Sequence, residues 1–310
     1  MKKVISLFSI FSLFLFIVIS SCNKNEDEPL PPIGGYNNSD EIGIVNGVPT
    51  NVAKFSFEGT NIEVKGNISP ITASGTSFTT GVKGQGLTLT NGYILYPALT
   101  ALGNANALNN ASLSGWVKVG NNDSYATCFF ALTQSTVLQN DWNTGPLMMF
   151  AETAKPTTVD DTLVLKGYFS TWIGGNRFGG DNINDYGVRE TDFKTVKTGG
   201  TWVHVVVVYN SNDNGKSTID VYANGIVVSN KNFRERTKDS PPVPIGPIVT
   251  VPPVQAVIGA FPTAASGFPN SPIQGWQKNM NGSLDELRVY TKALTADEIS
   301  ALYQLEKAGR

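Results

Sequence analysis

Between positions 168 and 182 the chain gathers Tyr168, Trp172, Asn176, Arg177, Asp181 and Asn182 in a Gly-rich run without a core period. Aromatic rings stack on the apolar faces of sugars, and Asn, Asp and Arg side chains satisfy hydroxyls, so this mixture has the chemistry of a carbohydrate site. Trp142, in the polar run 138–145, joins it as a ligand-binding candidate, and Trp276 lies in similarly polar surroundings. The plainer role for each of these loop tryptophans is a lid folded back on the edge of the core. Trp116 and Trp202 sit in apolar, strand-like runs and read as core.

Residues for covalent or acid–base chemistry are sparse. His204 is the single histidine, and no Ser or Cys motif accompanies it as a nucleophile. Hydrolysis of a glycoside needs two carboxylates facing one cleft. Asp285 and Glu286 are adjacent, as are Asp160 and Asp161, and neighbours on a strand point to opposite faces. No catalytic residue is therefore expected. One His and one free Cys are too few for a closed transition-metal site.

These side chains need a scaffold, and the sequence describes one made of strands. The chain has 310 residues, with 23 basic and 25 acidic side chains for a net charge of −2, and no basic run that would favour nucleic acid. Its 31 Gly and 17 Pro suit short strands joined by many turns. Strict alternation predicts a strand at 53–59, and apolar runs predict others at 112–119, 126–133, 147–150, 163–169 and 201–209. A further strand at 217–223 ends in Asn224-Gly225, the pair favoured in a type I′ hairpin turn. The six prolines of 241–253 cannot join a central sheet, so 233–253 reads as an extended surface excursion. At the C-terminal end, Leu284, Leu287 and Val289 mark a last strand. Thr295 and Glu298 then form a capping box for a short helix with an apolar stripe at Ile299, Leu302 and Tyr303.

The N-terminal end is of another kind. Lys2 and Lys3 precede an apolar run at 4–19, the pattern of an export signal. Ile19, Ser20, Ser21 and Cys22 resemble a lipobox, which makes Cys22 the lipidated residue. The expected organisation is a signal peptide at 1–21, a flexible tether at 22–46 and one β-sandwich domain at 47–310. The acidic run after Cys22 resembles the tether of surface lipoproteins, so the expected location is the cell outer membrane, lipid-anchored and facing outward. Cys128, left without a partner, reads as a small buried hydrophobe.

Several of these stretches carry a resemblance. The last strand, with Leu284, Asp285, Glu286, Leu287 and Tyr290, and the helix after it resemble the closing elements of concanavalin A-like, laminin-G-like (pentraxin-type) jelly rolls. Upstream landmarks arrive in the family's order: Phe57 and Gly59, the Gly81, Gly84 and Leu87 run, Trp116, the Trp202-Val203-His204 strand, and Ile258-Gly259. The resemblance implies an all-β jelly-roll sandwich with a short C-terminal helix. It also implies a structural Ca2+ as the cofactor to consider, held by Glu63 and Asp285, although Glu63 stands where the family carries aspartate. By the same resemblance the function is non-catalytic recognition of a polysaccharide or glycoprotein glycan. A protein-binding adhesion module using 241–253 as a contact arm is the alternative, and a glycoside hydrolase comes third.

Overall fold

The central strands of this molecule are buried on both faces, so successive side chains pack alternately on the core and on an outer cover. The computed structural model describes residues 30–120, 124–152, 162–184, 196–197 and 200–310, of which 32–310 form one compact unit. The export signal, Cys22 and the Asp160/Asp161 pair lie outside the described residues.

The main strands are β1 (Asn51–Phe55), β2 (Thr72–Thr80), β3 (Gln85–Tyr96), β4 (Ala111–Lys118), β5 (Ala126–Thr133), β6 (Leu147–Ala151) and β7 (Leu165–Ile173). They continue as β8 (Asn176–Ile183), β9 (Val203–Asp213), β10 (Lys216–Ala223), β11 (Glu235–Lys238), β12 (Gln255–Ile258) and β13 (Met280–Tyr290), before the helix α1 (Ala296–Lys307). Hydrogen bonding links them in the order β8-β7-β6-β5-β12-β3-β13-β4-β9-β10-β11, with β1 beside β13 and β2 beside β3. The strip curls until its two halves face each other. Phe169 of β7 meets Tyr209 of β9 at 4.4 Å between ring centroids. Gly167 is needed there, since a Cβ would lie 2.6 Å from Val207. The product is an all-β, jelly-roll sandwich with one core between its layers, lined by Leu113, Val117, Phe129, Leu165, Val205 and Val207 among others.

Each layer also has an outer face. On the β13-β4-β9 side, Val206, Val208 and Tyr290 are covered by α1 through Ile299, Leu302 and Leu305. The expected capping box forms, with Thr295 Oγ1 accepting from Glu298 N at 3.2 Å and Glu298 Oε2 accepting from Thr295 N at 2.9 Å. On the β6-β5-β12 side, Met148, Phe150, Ala131 and Val257 are covered by loops that bring Trp142, Phe261, Phe268 and Trp276. This second face carries the candidate site.

Four readings from sequence change. Residues 170–182 are a β-hairpin, made by the end of β7 and β8, in which Gly174 and Gly175 take φ of 57° and 80° at the turn. The Pro-rich segment is a wall: Ile245 and Ile248 reach the core, and Val249 O accepts from Trp172 N at 3.1 Å. Its first residues, 241–244, stay exposed. Residues 33–46, read as tether, pack on the sandwich, with Ser39 and Ile42 buried and the Asp40 carboxylate paired to Arg288. Trp202 precedes β9 and is half-buried instead of lying in the core.

Candidate functional site

In β7 the even-numbered residues Lys166, Tyr168, Ser170 and Trp172 turn outward while Leu165, Phe169 and Ile173 turn to the core. Antiparallel register sets Asp181 opposite Tyr168 and Arg177 opposite Trp172, so these belong to the outer face as well. Asn182 falls on the inner face. It is buried, and its Nδ2 donates to the carbonyls of Ile219 and Asn230 at 2.9 and 3.1 Å, which is a structural task. Asn176 is exposed beside the hairpin turn, in register with the inward Ile173. The residues proposed from spacing are thus split by strand parity, and Asn182 leaves the set of ligand contacts.

Trp142 reaches the same face from the loop 134–145. That loop binds itself: Asp141 Oδ1 accepts from Trp142 N at 2.7 Å, and the Asp141 carbonyl accepts from Gln139 Nε2 and Thr144 Oγ1 at 2.7 and 3.0 Å. Gly145 passes so close to β5 that a Cβ would stand 2.2 Å from the Leu132 carbonyl. Trp276 comes from the other end of the chain, placed by Ala126 N donating to its carbonyl at 2.7 Å and by Gln277–Lys278 pairing with β5.

The indoles of Trp142 and Trp276 meet edge to face, 5.2 Å apart at 85°. Tyr168 is 5.6 Å from Trp142. Beneath them Phe150 and Phe261 are buried, 5.2 Å from each other, and Phe261 stands perpendicular to Trp142 at 5.6 Å. Edge-to-face packing places the positive rim of one ring on the negative face of the next and holds the group rigid. Trp142, Tyr168 and Trp276 remain only half-buried, so part of each ring faces outward.

A polar border surrounds this aromatic face. The Arg177 guanidinium donates to the Asn143 carbonyl and to Asn143 Oδ1 at 3.0 Å each, and to the Tyr168 hydroxyl at 3.3 Å. It thereby ties the Trp142 loop to the hairpin. Lys166 bridges Glu152 at 2.6 Å and Asp181 at 3.1 Å. Burial raises the Tyr168 pKa against the pull of Arg177, so its hydroxyl stays protonated at neutral pH and serves as both donor and acceptor. Asn143, Lys166, Glu152, Phe261 and Trp276 were not among the residues proposed from sequence. Trp276 had a signal, its polar surroundings; Phe150, inside the apolar run at 147–150, had none.

The candidate Ca2+ ligands do other work. Glu63 is buried and its two carboxylate oxygens accept from Lys54 N, Lys65 N and Gly66 N at 2.9, 2.7 and 2.6 Å. Asp285 accepts from Val82 N, Lys83 N and Glu286 N at 2.7, 3.0 and 2.8 Å. Each carboxylate closes its own turn. A β-bulge at Asp285 places two residues between the inward Leu284 and Leu287, which sets aside the opposite-face reading of Asp285 and Glu286. Among the described residues no group of three or more His, Cys, Asp or Glu side chains is placed to hold a metal ion. His204 is fully buried under α1, with its Nε2 3.6 Å from Glu306, and burial followed by the nearby Arg288 charge pushes its pKa down to about 3.

No family model and no curated protein matches this sequence. Solved structures do. Over 82% of the chain it is similar, with TM-score 0.50 and 11% identity, to the receptor-binding domain of botulinum neurotoxin mosaic serotype C/D, of which it spans 50%. A serotype D ligand-binding domain in complex with N-acetylneuraminic acid matches at TM-score 0.46 and 12% identity, with 82% of this chain and 50% of that one covered. Domain 4 of an extracellular GH43 arabinanase from Geobacillus stearothermophilus, in complex with arabinotriose, matches at TM-score 0.47 and 21% identity over 82% of this chain and 98% of that one. The chain spans about half the length of the toxin domains that it matches. At these identities the likeness concerns the fold.

Proposed function

We propose that this chain is a non-catalytic carbohydrate-binding protein that holds a glycan against the outer face formed by Trp142, Tyr168 and Trp276. The observation that carries the reading is the convergence of three half-exposed aromatic side chains from three separate stretches on a rigid floor of Phe150 and Phe261. Ring faces of this kind take up the C–H faces of sugars. Around them Arg177, Asn143, Asp181, Lys166 and Glu152 supply donors and acceptors for hydroxyls. The border carries both signs of charge, which suits a neutral polyol better than a strongly ionic ligand.

In this reading the protein is a lipoprotein anchored through Cys22 and displayed on the outer membrane, where the sandwich keeps a polysaccharide near the cell. No residue pair is assigned to catalysis. The rival reading, a protein-binding module, keeps only the exposed run 241–244 as a contact arm, because Ile245 and Ile248 beside it are packed into the core.

The test is a glycan array on the purified protein, with Trp142→Ala and Trp276→Ala beside it. Binding to one glycan class, lost in both variants while their melting curves stay cooperative, is the expected result. Binding that survives both substitutions, or an array without any binding, overturns the reading.

A further inference from the structure

The three aromatic side chains of the outer face do not share a plane. The rings of Trp142 and Trp276 are 85° apart, and those of Trp142 and Tyr168 are 49° apart. A flat surface can therefore lie against one of these rings, and it meets the others on edge or misses them. The angles are built in. Trp142 packs edge to face with Phe150 at 83° and with Phe261 at 88°, and Trp276 with Phe261 at 79°. Turning Trp142 level with Trp276 would undo these packings. It would also break up the loop that carries Trp142, which the Asp141 carbonyl binds to Gln139 and Thr144 and which Arg177 ties to the hairpin.

The polar border argues the same way. In an insoluble, ribbon-like polysaccharide the chains lie side by side and use their ring-edge hydroxyls on one another, so that only flat ring faces are offered. Arg177, Asn143, Asp181, Lys166 and Glu152 would have nothing to bind on such a surface. A single chain in solution keeps its ring-edge hydroxyls free, and this border supplies donors and acceptors for them.

We propose that the face takes a single soluble polysaccharide chain whose successive sugar rings turn relative to one another, and that it rejects the flat surface of an insoluble ribbon-like polymer. Tyr168 and Trp276 stand 5.6 and 5.2 Å from Trp142, steps close to the length of one sugar unit. Consecutive turned sugars then meet rings of different tilt, and the rigid floor selects the turn that fits without being reordered by the ligand. The proposal rests on the carbohydrate reading of the aromatic face and narrows its ligand class.

The experiment uses the intact protein. Affinity electrophoresis follows its retardation in gels holding laminarin, soluble starch or the soluble polymer of whichever class binds the array. Co-sedimentation follows its uptake on microcrystalline cellulose and on chitin. Retardation by a soluble polymer is expected, weakened about tenfold in Trp142→Ala, with the wild type left in the supernatant of both solids. The wild type alone carries the contrast between soluble and solid polymer, so a poorly folded variant does not decide the outcome. Uptake on either solid comparable with binding to a soluble polymer overturns the inference; where that uptake is lost in Trp142→Ala, the carbohydrate reading still stands. No retardation in any gel overturns the inference as well. With a positive array the ligand is then a short terminal glycan, and with a silent array the carbohydrate reading falls too.

Discussion

Trp142 stands perpendicular to Trp276, their ring centroids 5.2 Å apart, although one comes from the loop before β6 and the other from the approach to the last strand. Neither indole holds its position alone. Each uses the edge of the other and of Phe261 as a stop, so the face they present is stiff before any ligand arrives. A preformed face costs less conformational entropy on binding than one that must be ordered.

Removing either ring should therefore affect both stability and binding. Trp276→Ala should cost about 2 kcal/mol of stability, near half of what a fully buried aromatic loses, and should lower glycan affinity at least tenfold. Denaturant unfolding and titration measure the two separately. Full affinity in a variant destabilised by that amount would move the binding face elsewhere.

Glu63 gives a second prediction. Its carboxylate accepts three backbone N–H groups, and Glu63→Leu strands them in a buried turn at about 1–3 kcal/mol for each unsatisfied group. The melting temperature should fall clearly in this variant, and should not respond to a calcium chelator in wild type. A drop on chelation would show a bound Ca2+ in the fold and overturn this prediction.

The dependence of stability on pH follows from the buried carboxyls. Burial pushes Asp285 from 3.8 to about 7, against three amide hydrogen bonds, and pushes Glu306 from 4.5 to about 7 against the Arg288 charge. The folded protein then holds these protons more tightly than the unfolded chain, so their contribution is present at low pH and is lost as pH rises through about 7. His204, depressed from 6.5 to about 3, acts in the opposite sense below 6.5 and offsets one of the two carboxyls. Asp40, held well below the ordinary carboxylate range chiefly by Arg288 against its own burial, sets the acid limit, where its contribution is lost as pH falls below 3.8. The melting temperature should decline from pH 4.5 to 7, most steeply near the upper end, and the decline should flatten in Glu306→Gln. A rise across that window contradicts this assignment.

Arg288 offers a fourth. It is fully buried and its guanidinium pairs with Glu306 at 2.9 Å, with Glu286 and with Asp40, joining α1, β13 and the N-terminal segment. Arg288→Met leaves the buried Glu306 without its cation, while Lys54 stays beside Asp40 and Glu286 at 3.1 and 3.5 Å, and should cost about 3–5 kcal/mol. Adding Glu306→Gln, whose amide oxygen still accepts from Trp116 Nε1, should recover part of that loss. A double variant no more stable than the single one would show that Glu306 is not the partner that matters.

What the sequence determined by itself is local. The apolar run at Leu113, Trp116 and Val117 places a strand, the Thr295/Glu298 pair starts a helix, and Asn224-Gly225 takes φ of 49° and 82° in its hairpin turn. Each of these depends on residues within a few positions of one another, and together they are enough for a sandwich with a closing helix. The tertiary structure decided which residues share a surface. Whether Asn182 or Asp181 faces a ligand depends on the register of β8 against β7, and a one-residue difference sends neighbouring side chains to opposite faces. The bulge at Asp285 likewise turns a pair expected on opposite faces to one side of the strand. The aromatic face exists only because the curled sheet leaves one outer side without a helix, so that loops carrying Trp142 and Trp276 settle on it. Burial of the apolar outer residues of β5, β6 and β12 drives that settling, and no pattern within any one of the three stretches encodes their meeting.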